Sequence, residues 1–248
     1  MTSQADFDAY IQSHRGVRRL LTRDLLAWWV EVQHLSPSEV RARAREFLPI
    51  LAASYGEVSA SAAADFYETS REASVARGSF TAIMSESDAA RRAARSVRWA
   101  TDPLYGGDVE AALGRMTLVS EEAALQQGRN TIMLNAERDP ARPRFARVPV
   151  GKTCAWCLML ASRGARYRSA ESAGAAGQYH GGACDCQPVA SWDGGKDLPP
   201  SYDEGHLYEL YDRARSEAMS GDPREITKAM RRLDGGTHVS DGVAPSGD

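Results

Sequence analysis

The chain has 248 residues, enough for one large domain or two modest ones, and its 43% hydrophobic and 25% charged residues are ordinary for a globular protein. A net charge of -3 argues against a generally basic nucleic-acid-binding protein, and no apolar run approaches the roughly 20 residues of a membrane span. The polar amino terminus, MTSQADFDAYIQSHR, is not typical of a secretory signal, so we expect no membrane association.

Helical patterns fill the amino-terminal part of the chain. Apolar residues recur at spacings of three and four over residues 20–32, which is typical of an amphipathic helix. Ser36, Pro37 and Glu39 then form a capping box that predicts the start of a second helix, in which Pro49 is expected to cause a kink. Further helical segments are predicted over residues 59–76, from near residue 87, and over residues 120–137.

The composition changes at RDPARPRFARVPVGKT, where three prolines end the helix. Residues 145–150 alternate between apolar and polar, as a short strand does, and the chain is then rich in Gly, Ser and Cys to about residue 191. Residues 202–219 return to a helical pattern. Asp222 and Pro223 are a capping signature for a last helix that ends at Leu233.

These patterns predict a mainly α protein. A long-helix amino-terminal region is followed by a small zinc-stabilised α+β module and a carboxy-terminal helical segment. The predicted divisions are a helical domain over 1–140, a cysteine-rich zinc-binding module over 141–200, carboxy-terminal helices over 201–234, and a disordered acidic tail over 235–248.

The four cysteines of the chain are clustered, which indicates metal binding. Cys154 and Cys157 have the Cys-x-x-Cys spacing that places two thiolates on one ion, and YHGGACDC supplies His180, Cys184 and Cys186. Five candidates compete for the four positions of tetrahedral zinc, so the ligands are four cysteines or three cysteines with His180. Closing the loop of about 26 residues between the two half-sites would organise a segment that is too Gly-rich to fold by apolar burial alone.

Other chemistries for this stretch lack their partner residues. A phosphate loop needs glycine where Ala146 stands, and it needs a helix directly after Thr153, where we expect a metal-binding knuckle. The zinc-deaminase pattern His-x-Glu and the metalloprotease pattern His-Glu-x-x-His are both absent from the sequence. No Gly-x-Ser-x-Gly elbow supports a serine hydrolase. A structural zinc site is therefore favoured over a catalytic one.

An arginine stripe lies on the helix predicted from near residue 87. Three of its residues recur at spacings of four and three, with a fourth beside the first. They could meet DNA phosphates or an acidic protein surface, although such a stripe is more often a solvated helix face. The members of this candidate patch are Arg91, Arg92, Arg95 and Arg98.

The segment CAWCLMLASRGARYRSAESAG with YHGGACDCQPV resembles the cysteine-rich module of the MuF-like minor head proteins of tailed bacteriophages, of the type found in phages of high-GC bacteria. The resemblance covers residues 145–190, including Arg163, Gly164, Tyr167 and Ser169 after the knuckle. One more residue separates His180 from the next cysteine than in the family pattern, so His180 and Cys186 both remain candidates for the fourth ligand. The positions that match the family's ligands are Cys154, Cys157, His180, Cys184 and Cys186.

The resemblance implies a structural protein of the virion. Such proteins associate with the portal or the major capsid protein, and they affect head assembly or genome delivery. We therefore expect a location in the capsid interior or at the portal vertex, in the host cytoplasm during assembly, with packaged DNA as a further possible contact and no small-molecule substrate. The alternatives are a head maturation protease or another zinc-dependent hydrolase, and a DNA-binding module that uses the arginine stripe.

Overall fold

The structure, a computed structural model, describes residues 2–150, 153–174 and 185–235. No helix in these segments is both long enough and apolar enough to span a bilayer. The segments contain seven α-helices, a short 3₁₀ helix and two β-strands, so the prediction of a mainly α protein is confirmed. In chain order the elements are α1 (Gln4–Val32), α2 (Pro37–Glu72), α3 (Ala89–Thr101), the 3₁₀ helix (Asp102–Gly106), α4 (Val109–Arg138), β1 (Arg144–Val148), α5 (Ala155–Ala161), β2 (Gln187–Ser191), α6 (Glu204–Ala218) and α7 (Pro223–Asp234).

The capping box at the start of α2 is confirmed. The backbone N–H of Ser36 donates to Glu39 Oε2 at 3.0 Å, and the N–H of Glu39 donates to Ser36 Oγ at 3.4 Å. Pro49 lies inside α2, which runs from Pro37 to Glu72, and the kink expected there stays a prediction. Helix α4 begins at Val109, eleven residues before the predicted start of that segment.

Strands β1 and β2 form a two-stranded antiparallel sheet in which Phe145 is paired with Ala190 and Val148 with Gln187. Phe145 also bridges to Tyr167, with backbone hydrogen bonds of 3.0 and 3.2 Å between the two residues. The sequence predicted β1 but not β2, because QPVAS is short and contains a proline. A small α+β arrangement is therefore present within the predicted module, and its stabilisation by zinc remains a prediction.

The described chain packs as two compact units, each assembled from separate stretches. Unit 1 comprises residues 1–7, 67–81 and 132–248, and unit 2 comprises residues 8–66 and 82–131. The divisions predicted at residues 140, 200 and 234 were drawn from changes in composition along the chain. The two units are defined by packing, which is a different criterion, so the predicted domains stay a prediction. The predicted disordered tail lies outside the described residues except for Gly235.

Unit 2 is held by an apolar core between helices. Buried side chains from four helices and the 3₁₀ helix meet there, including Leu25, Leu48, Val97 and Met116. Gly128 of α4 lies close to Ser59 of α2, and a Cβ added at residue 128 would come within 2.8 Å of the Ser59 carbonyl oxygen. Glycine is therefore what allows the two backbones to approach each other at this point.

Unit 1 has a second apolar core where α5, α6 and α7 pack together. The N-cap of α7 is Asp222, whose Oδ1 accepts a hydrogen bond of 2.9 Å from the N–H of Arg224, with Pro223 at the first helical position. This confirms the predicted start of the last helix. The buried members of the core are Leu158, Met159, Ala161, Leu207, Leu210, Ala214, Ile226, Ala229 and Met230.

A buried carboxylate organises the polar part of unit 1. Asp139 Oδ2 accepts from Arg71 Nε at 2.8 Å, from Trp192 Nε1 at 3.1 Å and from the Tyr67 hydroxyl at 3.2 Å. Its Oδ1 accepts from Arg71 Nη2 at 3.3 Å and from the N–H of Ala141 at 2.8 Å. Burial raises the pKa of Asp139, but these hydrogen bonds outweigh that effect and hold the pKa below its ordinary value.

Candidate metal centre

Three of the five predicted metal ligands lie together in unit 1. Cys154 precedes α5, Cys157 lies in its first turn, and Cys186 directly precedes β2. All three side chains are buried in one cluster, against which the indole of Trp156 packs. The fold therefore brings residues from the two predicted half-sites to one place, although more than 25 residues separate them along the chain. His180 and Cys184 fall outside the described residues.

Two of the three described cysteine sulfurs are in direct contact. Cys186 Sγ lies 3.1 Å from Cys157 Sγ, and Cys154 Sγ caps α5 by accepting from the N–H of Cys157 at 3.3 Å. No disulfide joins the three cysteines of the described segments. Within those segments no group of three or more His, Cys, Asp or Glu side chains is arranged to hold a metal ion.

A buried arginine accompanies the sulfurs. Arg147 of β1 is only 6% exposed, and its Nη2 donates to Cys186 Sγ at 2.9 Å and reaches Cys157 Sγ at 3.7 Å. Its Nη1 donates to the carbonyl oxygen of Ala173 at 2.7 Å, which fixes the direction of the guanidinium. A positive charge in this position favours thiolate over thiol, and thiolate is the form that binds metal.

The sequence interpretation did not identify Arg147. The signal that could have identified it is its place in the strand RFARV, where it stands between two small or apolar residues, Ala146 and Val148, close to the cysteine knuckle. A buried arginine in a strand needs an anionic or polar partner, and cysteines that can form thiolates lie nearby in the sequence, from Cys154 onwards.

The thiol donors suit a thiophilic ion by their chemistry, but the described sulfurs do not stand at the spacing of a tetrahedral site. Two thiolates at about 2.3 Å from one zinc lie about 3.8 Å apart at the tetrahedral angle, so the sulfurs of Cys157 and Cys186 would separate by roughly 0.7 Å on binding. Cys154 would exchange its capping hydrogen bond for a metal bond. Because Cys186 lies in the described cluster, the open choice for the fourth donor becomes His180 or Cys184, both outside the described residues.

One argument against a phosphate loop was wrong. Helix α5 begins at Ala155, so a short helix does follow Thr153 almost directly. The other argument stands, because residue 146 is alanine within strand β1 and no glycine is there to turn the chain around a phosphate.

The arginine stripe lies on α3 in unit 2, where its members differ in environment. Arg91 is exposed and lies 3.9 Å from Asp88. Arg92 is half-buried and lies 3.9 Å from both Asp88 and Glu122, so part of its charge is balanced within the unit. Arg95 and Arg98 are exposed, and neither side chain forms a hydrogen bond or ion pair within the described segments.

Comparison with known proteins identifies a family. The model of the VG15 protein family matches residues 1–214. The chain is also 44% identical over 70 residues to the Gene 15 protein of Mycobacterium phage D29, in a match that covers 26% of the chain and 25% of that relative. The chain thus spans about a quarter of the length of this relative. No solved structure matches the chain. These matches support a bacteriophage origin, and the match over most of its length shows that the chain belongs to the VG15 protein family.

Proposed function

We propose that the chain is a structural protein of a phage head, a minor capsid or head-morphogenesis protein of the MuF-like kind. The observation that carries this proposal is the family match over residues 1–214, together with a relative encoded by a mycobacteriophage. The cysteine arrangement supports it further, because the three described cysteines lie in one buried cluster.

The proposed partners are the portal protein and the major capsid protein of the same phage. A protein of this role resides in the virion, in the capsid interior or at the portal vertex, and in the host cytoplasm during assembly. Helical surfaces such as the exposed sides of α1, α2 and α3 would supply the contacts, since each of these helices carries exposed side chains.

Co-expression tests the proposed association. The tagged chain is produced with the portal protein and, separately, with the major capsid protein of the phage that encodes it, and the complexes are analysed by affinity capture and size exclusion. We expect at least one of the two proteins to be retained in a defined ratio. Retention of neither protein would contradict the proposal, and specific cleavage of the major capsid protein would assign the maturation-protease alternative instead.

The second part of the proposal is a structural zinc ion held by Cys154, Cys157, Cys186 and one further residue, Cys184 or His180. Zinc would bind the sulfurs together, and Arg147 would donate to the bound thiolate of Cys186 and reduce its negative charge. With four protein ligands the ion has no open position for water, so its role is to stabilise the fold.

Metal analysis of purified variants tests the zinc site. The full chain should contain about one zinc per molecule, and Cys154→Ser and Cys186→Ser should each lose most of it. Comparing Cys184→Ser with His180→Ala then identifies the fourth ligand. A full zinc complement in both Cys154→Ser and Cys186→Ser would show that the site is elsewhere. Ser162→Ala, which changes a buried hydroxyl just after α5, is the matched control and should retain zinc.

A further inference from the structure

Helix α3 has two different faces. Its buried face consists of Ala89, Ala93, Val97, Ala100 and Thr101, which pack into the core of unit 2. The opposite face presents Arg91, Arg95 and Arg98, which rise in steps of about 6 and 4.5 Å along one side of the helix. No acidic residue occurs within α3, so the row of charges is not interrupted.

An exposed indole lies beside these arginines. Trp99 is 46% exposed, directly after Arg98. The guanidinium of Arg115, from α4, lies 4.8 Å from the centroid of the Trp99 ring, and its Nη1 donates to the Trp99 carbonyl oxygen at 3.2 Å. Arg115 therefore covers one face of the indole by a cation–π contact and adds a fourth positive charge to the surface.

The arginines together with Trp99, whose ring is held by Arg115, indicate which kind of partner this surface binds. Guanidinium groups bind phosphate oxygens, and an aromatic face stacks on an unpaired base. An acidic protein surface would use the charges but has no need of the indole, and duplex DNA keeps its bases stacked on one another. Single-stranded nucleic acid presents both groups in alternation, phosphates and accessible base faces.

We propose that the face of α3 formed by Arg91, Arg95, Arg98 and Trp99, with Arg115 behind the indole, binds single-stranded nucleic acid. The arginines contact successive phosphates, and Trp99 stacks on a base. Arg92 is excluded from the binding face because it is only 29% exposed and turns towards Asp88 and Glu122. This activity goes beyond the proposed role in the head and does not depend on it.

Fluorescence anisotropy with the full chain and a labelled oligothymidylate of about 15 nucleotides tests the proposal. Arg95→Ala/Arg98→Ala should weaken binding by about 10-fold or more, and it should lower the slope of log K against log salt by about 1.4, which is two phosphate contacts. Trp99→Leu should weaken binding by about 10-fold with an unchanged salt slope, because stacking releases no counterions. Arg43→Ala/Arg45→Ala, two exposed arginines of α2 in the same unit, is the matched control and should bind as the unmodified chain does.

Three results would overturn the proposal. The first is an equal loss of affinity in the α2 control, which would mean that general charge alone drives binding. The second is unchanged affinity in both α3 variants. The third is tighter binding of poly-glutamate than of the oligonucleotide, with no effect of Trp99→Leu, which would assign the face to an acidic protein partner. Circular dichroism of each variant confirms that α3 is still folded.

Discussion

Two buried ionisable side chains are stable in opposite charge states, one ionised and one neutral. Asp139 is charged and receives hydrogen bonds from Arg71, Trp192, Tyr67 and the N–H of Ala141. His14 is equally buried, yet neither of its ring nitrogens has a hydrogen-bond partner within the described segments. The first residue stabilises unit 1 because it is ionised, and the second is tolerated in unit 2 because it is neutral.

Replacing Asp139 by asparagine should destabilise the protein strongly. The change keeps the size of the side chain but leaves the buried guanidinium of Arg71 without its counter-charge, and breaking a buried pair in this way typically removes about 3–5 kcal/mol of stability. The measurement is urea unfolding at neutral pH, with exposed Asp212→Asn of α6 as the control. A loss below about 1 kcal/mol in Asp139→Asn would show that the network contributes little.

His14 should make stability depend on pH between neutral and mildly acidic conditions. Burial, followed by the positive charges of Arg129 and Arg18, lowers the pKa of His14 from 6.5 to about 3. Because the folded pKa lies below the unfolded one, only the unfolded chain takes up a proton as pH falls from 6.5 towards 3, and stability declines across that window. At pH 5 this histidine alone should account for a loss of about 2 kcal/mol.

Urea unfolding at pH 7.5 and pH 5.0 measures this effect. His14→Leu should remove about 2 kcal/mol of the difference between the two pH values, and His34→Leu, at an exposed histidine after α1, is the control. An identical pH dependence in the unmodified chain and in His14→Leu would refute the assignment.

At the scale of elements, helix ends are where local sequence has most influence. Asp222→Ala should lower the stability of the α6–α7 pair by about 1 kcal/mol, because the N–H of Arg224 loses its side-chain acceptor at the start of α7. Asp222→Asn retains an acceptor oxygen and should be nearly neutral. Thermal unfolding of the two variants side by side gives the comparison, and equal melting temperatures would argue that the cap is dispensable.

The same locality explains what the sequence could predict. Ser36 with Glu39, and Asp222 with Pro223, are signals contained within four residues, so the starts of α2 and α7 were predicted correctly. Strand β2 was missed because its pairing with β1 depends on residues about 45 positions earlier in the chain. The Asp139 network and the contact of Arg147 with Cys186 were missed for the same reason, since no local pattern brings Tyr67, Asp139 and Trp192 together.

At the scale of the whole molecule, composition and packing divide the chain differently. The cysteine-rich stretch has its own composition, yet it belongs to a unit that also contains residues 1–7 and 67–81. Contacts far apart in sequence include the hydrogen bond from the N–H of Thr2 to the Asp197 carbonyl oxygen, at 3.0 Å, and that from the N–H of Ser201 to Gln4 Oε1, at 2.9 Å. Unit 1 is therefore completed only when the amino-terminal residues are in place.

If the proposed zinc is bound, its removal should affect the melting temperature of the full chain. A strong chelator should lower that temperature by about 5 to 10 °C, and added zinc should restore it, because an ion that binds only the folded state stabilises it by mass action. Cys154→Ser/Cys186→Ser should melt at the lower temperature with or without chelator. A chelator effect of the same size in this double variant would mean that the stabilising ion is bound elsewhere.

The close approach of Gly128 to Ser59 also limits how the sequence can drift during evolution. Any side chain at residue 128 would collide with backbone and hydroxyl atoms of the facing helix, so selection should reject nearly every substitution there, even the smallest. Glycines 16, 106 and 114 have open space at the same point and carry no such restriction. Among descendants of this sequence, residue 128 should therefore stay glycine long after those three have diverged.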